Sequence, residues 1–216
     1  QTLRMGPTRS GARCYLCVRG GIDVKLFLGS ASTHLLSSLG GFEGRALRKG
    51  DVLKIGTAGG IFRTFHKATV RSKSVAQLAP RKILRLTPGP QSHWFSDEAQ
   101  ESFYKNTYRV TEESNRMGLR LEGPALASAG GEMISEGVSL GAVQITAAGL
   151  PIILFVEQQT TGGYPKIANV ISADQGSLAQ LKPRDEIRFE PVGMETAREL
   201  LLEQEKLLAS KELILE

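Results

Sequence analysis

Apolar positions along this chain come in runs of three to six, cut by glycine or proline, and only rarely at helical spacing. Ile83–Thr87, Ala142–Ile145, Ile152–Val156 and Ile167–Ile171 have the length and branched content of buried strands. Tyr15–Val18, Val52–Ile55, Tyr108–Val110, Leu119–Leu121 and Glu186–Phe189 are shorter runs of the same kind. Twenty-four glycines punctuate them. Many short strands with tight turns predict a mainly β chain whose sheets close into barrels or sandwiches.

Helical spacing is confined to three places. Ser96 is a cap for a helix from Asp97 to about Tyr104, with Asp97 and Glu98 favourable in its first turn. A short helix is expected over Gln175–Leu181. A last one spans about Glu195–Ala209, with Ala197, Leu200, Leu201 and Leu208 as its stripe and Leu202 and Leu207 widening it. Its expected seat is the chain's own barrel. Thr64–Pro80 shows no period and is taken as a linker. The expected division is residues 1–66, a linker at 67–80, a barrel over 81–192 and a C-terminal helix over 193–216.

Composition narrows the function classes. With 41% hydrophobic and 23% charged residues, the chain is ordinary for a globular protein. No apolar run approaches the ~18 residues of a membrane span, and the N-terminal stretch has no signal core. The expectation is a cytoplasmic protein without a membrane partner. Net charge is +5, and Lys54, Arg63, Lys67, Arg71, Lys73, Arg81, Lys82 and Arg85 fall in a stretch without a carboxylate. Only Phe62 and Phe65 supply aromatics nearby, and no nucleic-acid motif is present. A solvated linker is the plainer account, and nucleic acid is not the expected partner.

Several motifs fail on spacing or context. "GGFEGRALRKGD" is glycine-rich and basic but lacks the P-loop spacing. "GVSLG" matches G-x-S-x-G, yet a strand-like "AVQI" follows and His34, His66 and His93 all lie upstream. Cys14 and Cys17 flank or lie on the strand expected at Tyr15–Val18, where residues three apart point to opposite faces, so neither metal nor redox chemistry is expected of them. No metal-ligand spacing occurs elsewhere. No methionine has a lysine beside it, so any biotin that serves the protein arrives on another chain or domain.

"YLCVRGGIDV", "LGSASTHL", "GGFEGRALRKGDVL", "LRLTPGPQ", "ESNRMGLRLEGP", "ISEGVSLGAVQI" and "QQTTGGYPKIANVI" occur in this order. Together they resemble the allophanate-hydrolase-subunit-2-like, or biotin-dependent carboxyltransferase, family over roughly residues 13–192. That resemblance implies tandem cyclophilin-like β-barrel units. It also implies that the first unit here is incomplete, because members usually carry a further stretch before the first strand. Three roles occur in the family. One is a subunit of an ATP-dependent 5-oxoprolinase-type hydrolase that works with an allophanate-hydrolase-subunit-1-like partner. The others are a carboxyltransferase component of a urea-carboxylase-like enzyme and a non-catalytic regulator that binds a kinase-inhibitor-like partner. The first is the reading adopted, with a small-molecule substrate, ATP in the complex and no turnover by the chain alone.

Candidate site residues follow from the chemistry of the quoted blocks. Gly162 and Gly163 allow close backbone approach, Thr160 and Thr161 offer hydroxyls, and Lys166 offers a compact positive charge beside Tyr164 and Pro165. Such a set suits a carboxylate or phosphate. Arg116 can clamp a planar carboxylate, and Glu136 can act as a base or orient a lysine. Gln144, inside an apolar strand, can read an amide, and Pro88, Gly89 and Pro90 form a rigid turn. The expected catalytic set is therefore Lys166, Glu136 and Arg116, on a pocket wall formed by residues 160–166. The plainer alternatives are a glycine turn, a structural ion pair and a strand terminator.

Overall fold

The computed structural model describes residues 1–8, 10–57, 69–70, 72–130, 133–210 and 213–215. Thus Phe62, Arg63, Phe65, Lys67 and Arg71 of the basic stretch lie outside the described residues. Two compact units are present. One comprises Gln1–Arg13 with Thr69–Glu216, and the other Cys14–Ala68.

Among the described residues of Cys14–Ala68, regular structure is limited to a two-stranded hairpin, β1 (Thr33–His34) with β2 (Leu39–Gly40), and isolated bridges such as Ile22 to Ile55. The strands expected at Tyr15–Val18 and Val52–Ile55 do not form ladders. Tyr15 is 94% exposed and Val52 81%, so their apolar runs cover no sheet face here. Arg45 organises the loop that follows the hairpin. Its guanidinium donates to Asp51 at 2.8 and 2.9 Å and to Glu43 at 2.7 and 3.0 Å. Cys14 and Cys17 are free and exposed.

The larger unit contains a closed seven-stranded barrel. Its strands are β4 (Ile83–Pro88), β5 (Tyr108–Val110), β6 (Gly118–Glu122), β8 (Ala142–Ile145), β9 (Pro151–Leu154), β11 (Lys166–Val170) and β12 (Glu186–Pro191). They run in the order β11-β4-β12-β5-β6-β9-β8, with β8 pairing back to β11. Only β4 and β12 are parallel; the other barrel neighbours are antiparallel. Closure leaves no open sheet edge around the ring. Two small pairs lie outside it, β3 (Thr69–Val70) with β13 (Ile214–Leu215) and β7 (Glu136–Gly137) with β10 (Thr161–Gly162).

Alternation along the strands builds the core. Leu84 and Leu86 of β4, Val110 of β5, Leu119 and Leu121 of β6, Ile153 of β9 and Ile187 of β12 are almost wholly buried. Burying each such side chain contributes roughly 1.5–3 kcal/mol. The helices are α1 (Ser72–Gln77), α2 (Asp97–Lys105), α3 (Gln175–Leu178) and α4 (Met194–Ala209). Ser96 caps α2 by accepting from the Ala99 N–H, and α2 drops Phe103 into the core. There Phe103 stacks on Phe189 with ring centroids 4.6 Å apart, and Tyr108 leans on both. The segment expected to be a linker carries α1, a short helix without a clear apolar period.

A buried ion pair fastens the 3₁₀ turn Ser172–Asp174 to β4. Asp174, fully buried, accepts from the Arg85 backbone N–H at 2.8 Å and from its guanidinium at 2.5 and 3.0 Å. Gln204 of α4 then donates to the Ala173 carbonyl at 3.1 Å, which seats the C-terminal helix on the same turn. No helix of the described residues is long and apolar enough to cross a membrane.

Candidate functional site

The turn after β4 begins the site. Pro88 and Pro90 stiffen it, and Gly89 lets it lie against β11. A Cβ on Gly89 would stand 2.3 Å from the Lys166 carbonyl oxygen and 2.7 Å from the Ala168 nitrogen, so only glycine fits. The Gly89 N–H donates to the Ile167 carbonyl at 2.9 Å, and the Gln91 N–H to the Lys166 carbonyl at 3.2 Å. The Gln91 side-chain oxygen accepts from the Lys166 N–H at 3.1 Å. The start of β11 is thus held by backbone and side chain of one turn.

A bulge at that start re-aims the side chains. The β11–β8 register shifts between Lys166 and Ala168. On a regular strand, residues three apart face opposite sides. With the extra residue absorbed, Lys166, Ala168 and Asn169 all line one pocket of about 400 Å³. Pro88, Gly89 and Pro90 form another wall, and Gly137, Val138, Ser139 and Ala142 the rest. The Ser139 hydroxyl donates to Asn169 Oδ1 at 2.9 Å.

Lys166 is the cation of this lining. Its side chain is only 6% exposed, while that of Glu136, its ion-pair partner, is 45% exposed. Lys166 Nζ bonds Glu136 Oε1, and Gln91 Nε2 donates to the same oxygen at 2.7 Å. These hydrogen bonds, Lys166 first and Gln91 second, hold the Glu136 carboxyl below the usual range against a smaller desolvation effect. Glu136 is delivered by the β7–β10 ribbon, in which Glu136 faces Gly162 and Gly137 faces Thr161. Val138 adds a bond from its N–H to the Thr160 carbonyl at 3.1 Å.

The two glycines of the ribbon end differ. Neither has a left-handed φ. Gly162 is closely approached: a Cβ there would come 2.5 Å from Gln144 Nε2, the end of a side chain that is 1% exposed and would have to shift. Gly163 has only ordinary neighbours, the nearest at 3.5 Å. Gln144 sits opposite Lys166 in the β8–β11 register and donates to the Tyr164 carbonyl at 3.4 Å. Thr160, Thr161 and Tyr164 are exposed on the ribbon and the turn after it.

The structure therefore brings Lys166, Glu136, Pro88, Gly89 and Pro90 together, with Thr161, Gly162 and Gln144 behind them. Arg116 is placed differently. Its Nε donates to Glu157 Oε1 at 2.7 Å, and the Glu157 N–H bonds the Arg116 carbonyl at 2.8 Å. That is the ion pair of the plainer alternative, between the loop before β6 and the turn after β9. Gln91, Ser139 and Asn169 were not anticipated as site residues. Gln91 ends "TPGPQ" and was available to inspection; Ser139 was weighed only as a nucleophile. Among the described residues no cluster of His, Cys, Asp and Glu is suited to a metal ion.

Known proteins share this chain's sequence and fold. It is 38% identical over 207 residues to a 5-oxoprolinase subunit of Escherichia coli (strain K12), spanning 95% of this chain and 64% of that protein. It is 34% identical over 235 residues to the urea amidolyase of Saccharomyces cerevisiae, covering 97% of this chain and 12% of the longer protein. The crystal structure of the Kluyveromyces lactis urea carboxylase superposes with a TM-score of 0.80 at 31% identity, over 96% of this chain and 21% of that one. The chain thus spans just under two thirds of the bacterial relative's length. Residues 1–191 match the carboxyltransferase domain, subdomain A and B, and the chain belongs to that family.

Proposed function

We propose that the chain is a component of a 5-oxoprolinase-type hydrolase that opens 5-oxoproline to glutamate, working with an allophanate-hydrolase-subunit-1-like partner. The observation that carries this reading is the buried Lys166 on the wall of a small pocket, paired with the half-exposed Glu136 beside it. Likeness to the bacterial 5-oxoprolinase subunit supports 5-oxoproline as the substrate. 5-Oxoproline presents a lactam carbonyl, a ring N–H and a carboxylate, of which the first two concern this pocket. Lys166 has ammonium protons left after its bond to Glu136, and one of them can stabilise the oxyanion that develops at the lactam carbonyl. Glu136, kept ionised, is suited to take the proton of an attacking water. Ser139 and Asn169 offer neutral hydrogen-bonding groups for the ring N–H.

ATP fits the complex better than it fits this pocket. The one cation of the pocket lining is already neutralised by Glu136, and proline, alanine and valine make up much of the wall. A triphosphate needs several cations or a nest of free N–H groups, so no phosphate-transfer step is derived from these residues.

A second reading is favoured by the family and by the fold match to urea carboxylase. In it the same pocket takes a ureido group and the chain takes part in carboxyl transfer, with biotin carried elsewhere. One experiment separates the two. The chain and its partner subunits are assayed for ATP-dependent release of glutamate from 5-oxoproline, and in parallel for carboxylation of urea from free carboxybiotin. Lys166→Ala and Glu136→Gln should each abolish the activity that is real. Glutamate release that is unaffected by both substitutions would remove the pocket from the reaction.

A further inference from the structure

We propose that Gln91 is a positioning residue that holds Glu136 as an ionised base beside Lys166. The inference takes its functional meaning from the reading of this pocket as a reactive site, but its geometry stands apart from that reading. An amide has one accepting end and one donating end. The accepting end of Gln91 is committed, because it faces the backbone N–H of Lys166 at 3.1 Å and a backbone N–H only donates. The amide cannot turn over without losing that bond. Its NH₂ end therefore faces Glu136 Oε1 at 2.7 Å. An NH₂ group offers a proton and accepts none, so Oε1 has to accept. The same oxygen accepts from the Lys166 ammonium.

Two donors thus converge on one carboxylate oxygen. A proton on Oε1 would oppose both of them, and a proton on the other oxygen would weaken both. Of the groups that face Glu136, Lys166 on β11 is charged and Gln91 on the turn after β4 is neutral. The neutral donor matters because it favours the carboxylate without adding a second cation. The Lys166 donors that do not engage Glu136 stay available to a ligand. The proline turn accordingly does more than end a strand: after Lys166, it adds a second donor that keeps the Glu136 carboxylate ionised to lower pH.

The test is a carboxyl-carbon NMR titration of the ¹³C-glutamate-labelled 216-residue chain, with E136Q used to assign the Glu136 signal. In Q91L the Glu136 midpoint should rise above that of the wild type. In Q91E, two carboxyls share the site, and they should titrate as a coupled pair with one midpoint raised. Q91E also keeps an acceptor for the Lys166 N–H, so it carries the test if Q91L does not fold. A residue that merely braced the turn would lower the melting temperature in Q91L and leave the Glu136 midpoint where it was. That outcome, or independent titration at the wild-type position in Q91E, overturns the proposal. In the reconstituted enzyme the acid limb of kcat/KM should move up in the same variants. Full turnover by E136Q would instead refute the functional reading and leave the titration result intact.

Discussion

Replacing Gly89 by alanine should damage the protein through sterics alone, and the structure sets the size of the effect. The Gly89 backbone is not left-handed, so alanine meets no torsional objection. Its Cβ, however, would lie about 1 Å inside ordinary contact with the Lys166 carbonyl and close to two further backbone atoms of β11. Backbone in a closed barrel cannot swing aside as a side chain can. The turn must lift, and three hydrogen bonds go with it: Gly89 to Ile167, Gln91 to Lys166, and Lys166 to the Gln91 side chain. Overpacking of about 1–3 kcal/mol and roughly 1 kcal/mol for each of the three weakened bonds give a loss of about 4–6 kcal/mol. For a chain of this size that corresponds to a fall in melting temperature of roughly 10 °C or more. The companion is Gly163→Ala, where nothing lies nearer than 3.5 Å to the new Cβ. It should be neutral or stabilise by up to about 1 kcal/mol, because alanine restricts the unfolded chain. Urea titration and thermal melts of both variants measure this directly. A Gly89→Ala protein that melts within about 2 °C of the wild type would refute the close-approach reasoning, and with it the claim that this turn braces β11.

Other outcomes follow from single contacts. Asp174→Ala strands Arg85, whose side chain is 11% exposed, and should cost about 3 kcal/mol by urea unfolding. At Asp185, burial raises the carboxyl pKa, but hydrogen bonds from Lys82 and Lys182 outweigh it and bring the value to about 2. A depressed carboxyl stabilises the fold above its unfolded pKa, so the advantage of wild type over Asp185→Asn should be constant above about pH 5 and vanish as pH falls from about 4 toward 2. Lys166→Ala should weaken 5-oxoproline binding to the partnered complex by about 1.5–3 kcal/mol in calorimetric titration, the range for hydrogen bonds to charged groups, while Glu136, being 45% exposed, is re-solvated and the melt changes little.

The barrel was legible because its strands bury themselves. Ile83–Thr87, Ala142–Ile145 and Ile167–Ile171 carry their own hydrophobic signal, and each lies within a residue or two of an observed strand. Tyr15–Val18 and Val52–Ile55 have the same composition but form no ladder, since strand propensity is realised only where a neighbour pairs with it. Helix α1 was missed because a six-residue helix leaves too few positions for a period to show. In the site, residue types were readable and directions were not. The bulge at Lys166 cannot be inferred from "YPKIANV", and without it Asn169 would be assigned to the face opposite Lys166. Gln91 looks like an ordinary polar residue after a turn until the barrel brings Glu136 to it.

The largest revision concerns what Lys166 has to offer. Read in sequence, two threonines, two glycines and a lysine suggest a cradle for an anion. Folded, Lys166 has already found its anion in Glu136, the threonines are exposed on the ribbon, and Gly163 has room to spare. An anionic ligand would have to displace Glu136 from a buried ammonium, giving up one charged contact to make another. A neutral carbonyl displaces nothing, because the ammonium has three protons and Glu136 engages one. It gains a charge-assisted hydrogen bond in a site of low exposure, where such bonds are strongest. The same geometry grows more favourable as negative charge builds on that oxygen, which is the condition for stabilising a transition state more than a ground state. Under the proposed function, a pocket so arranged suits the amide carbonyl of a lactam or a urea better than it suits a phosphate.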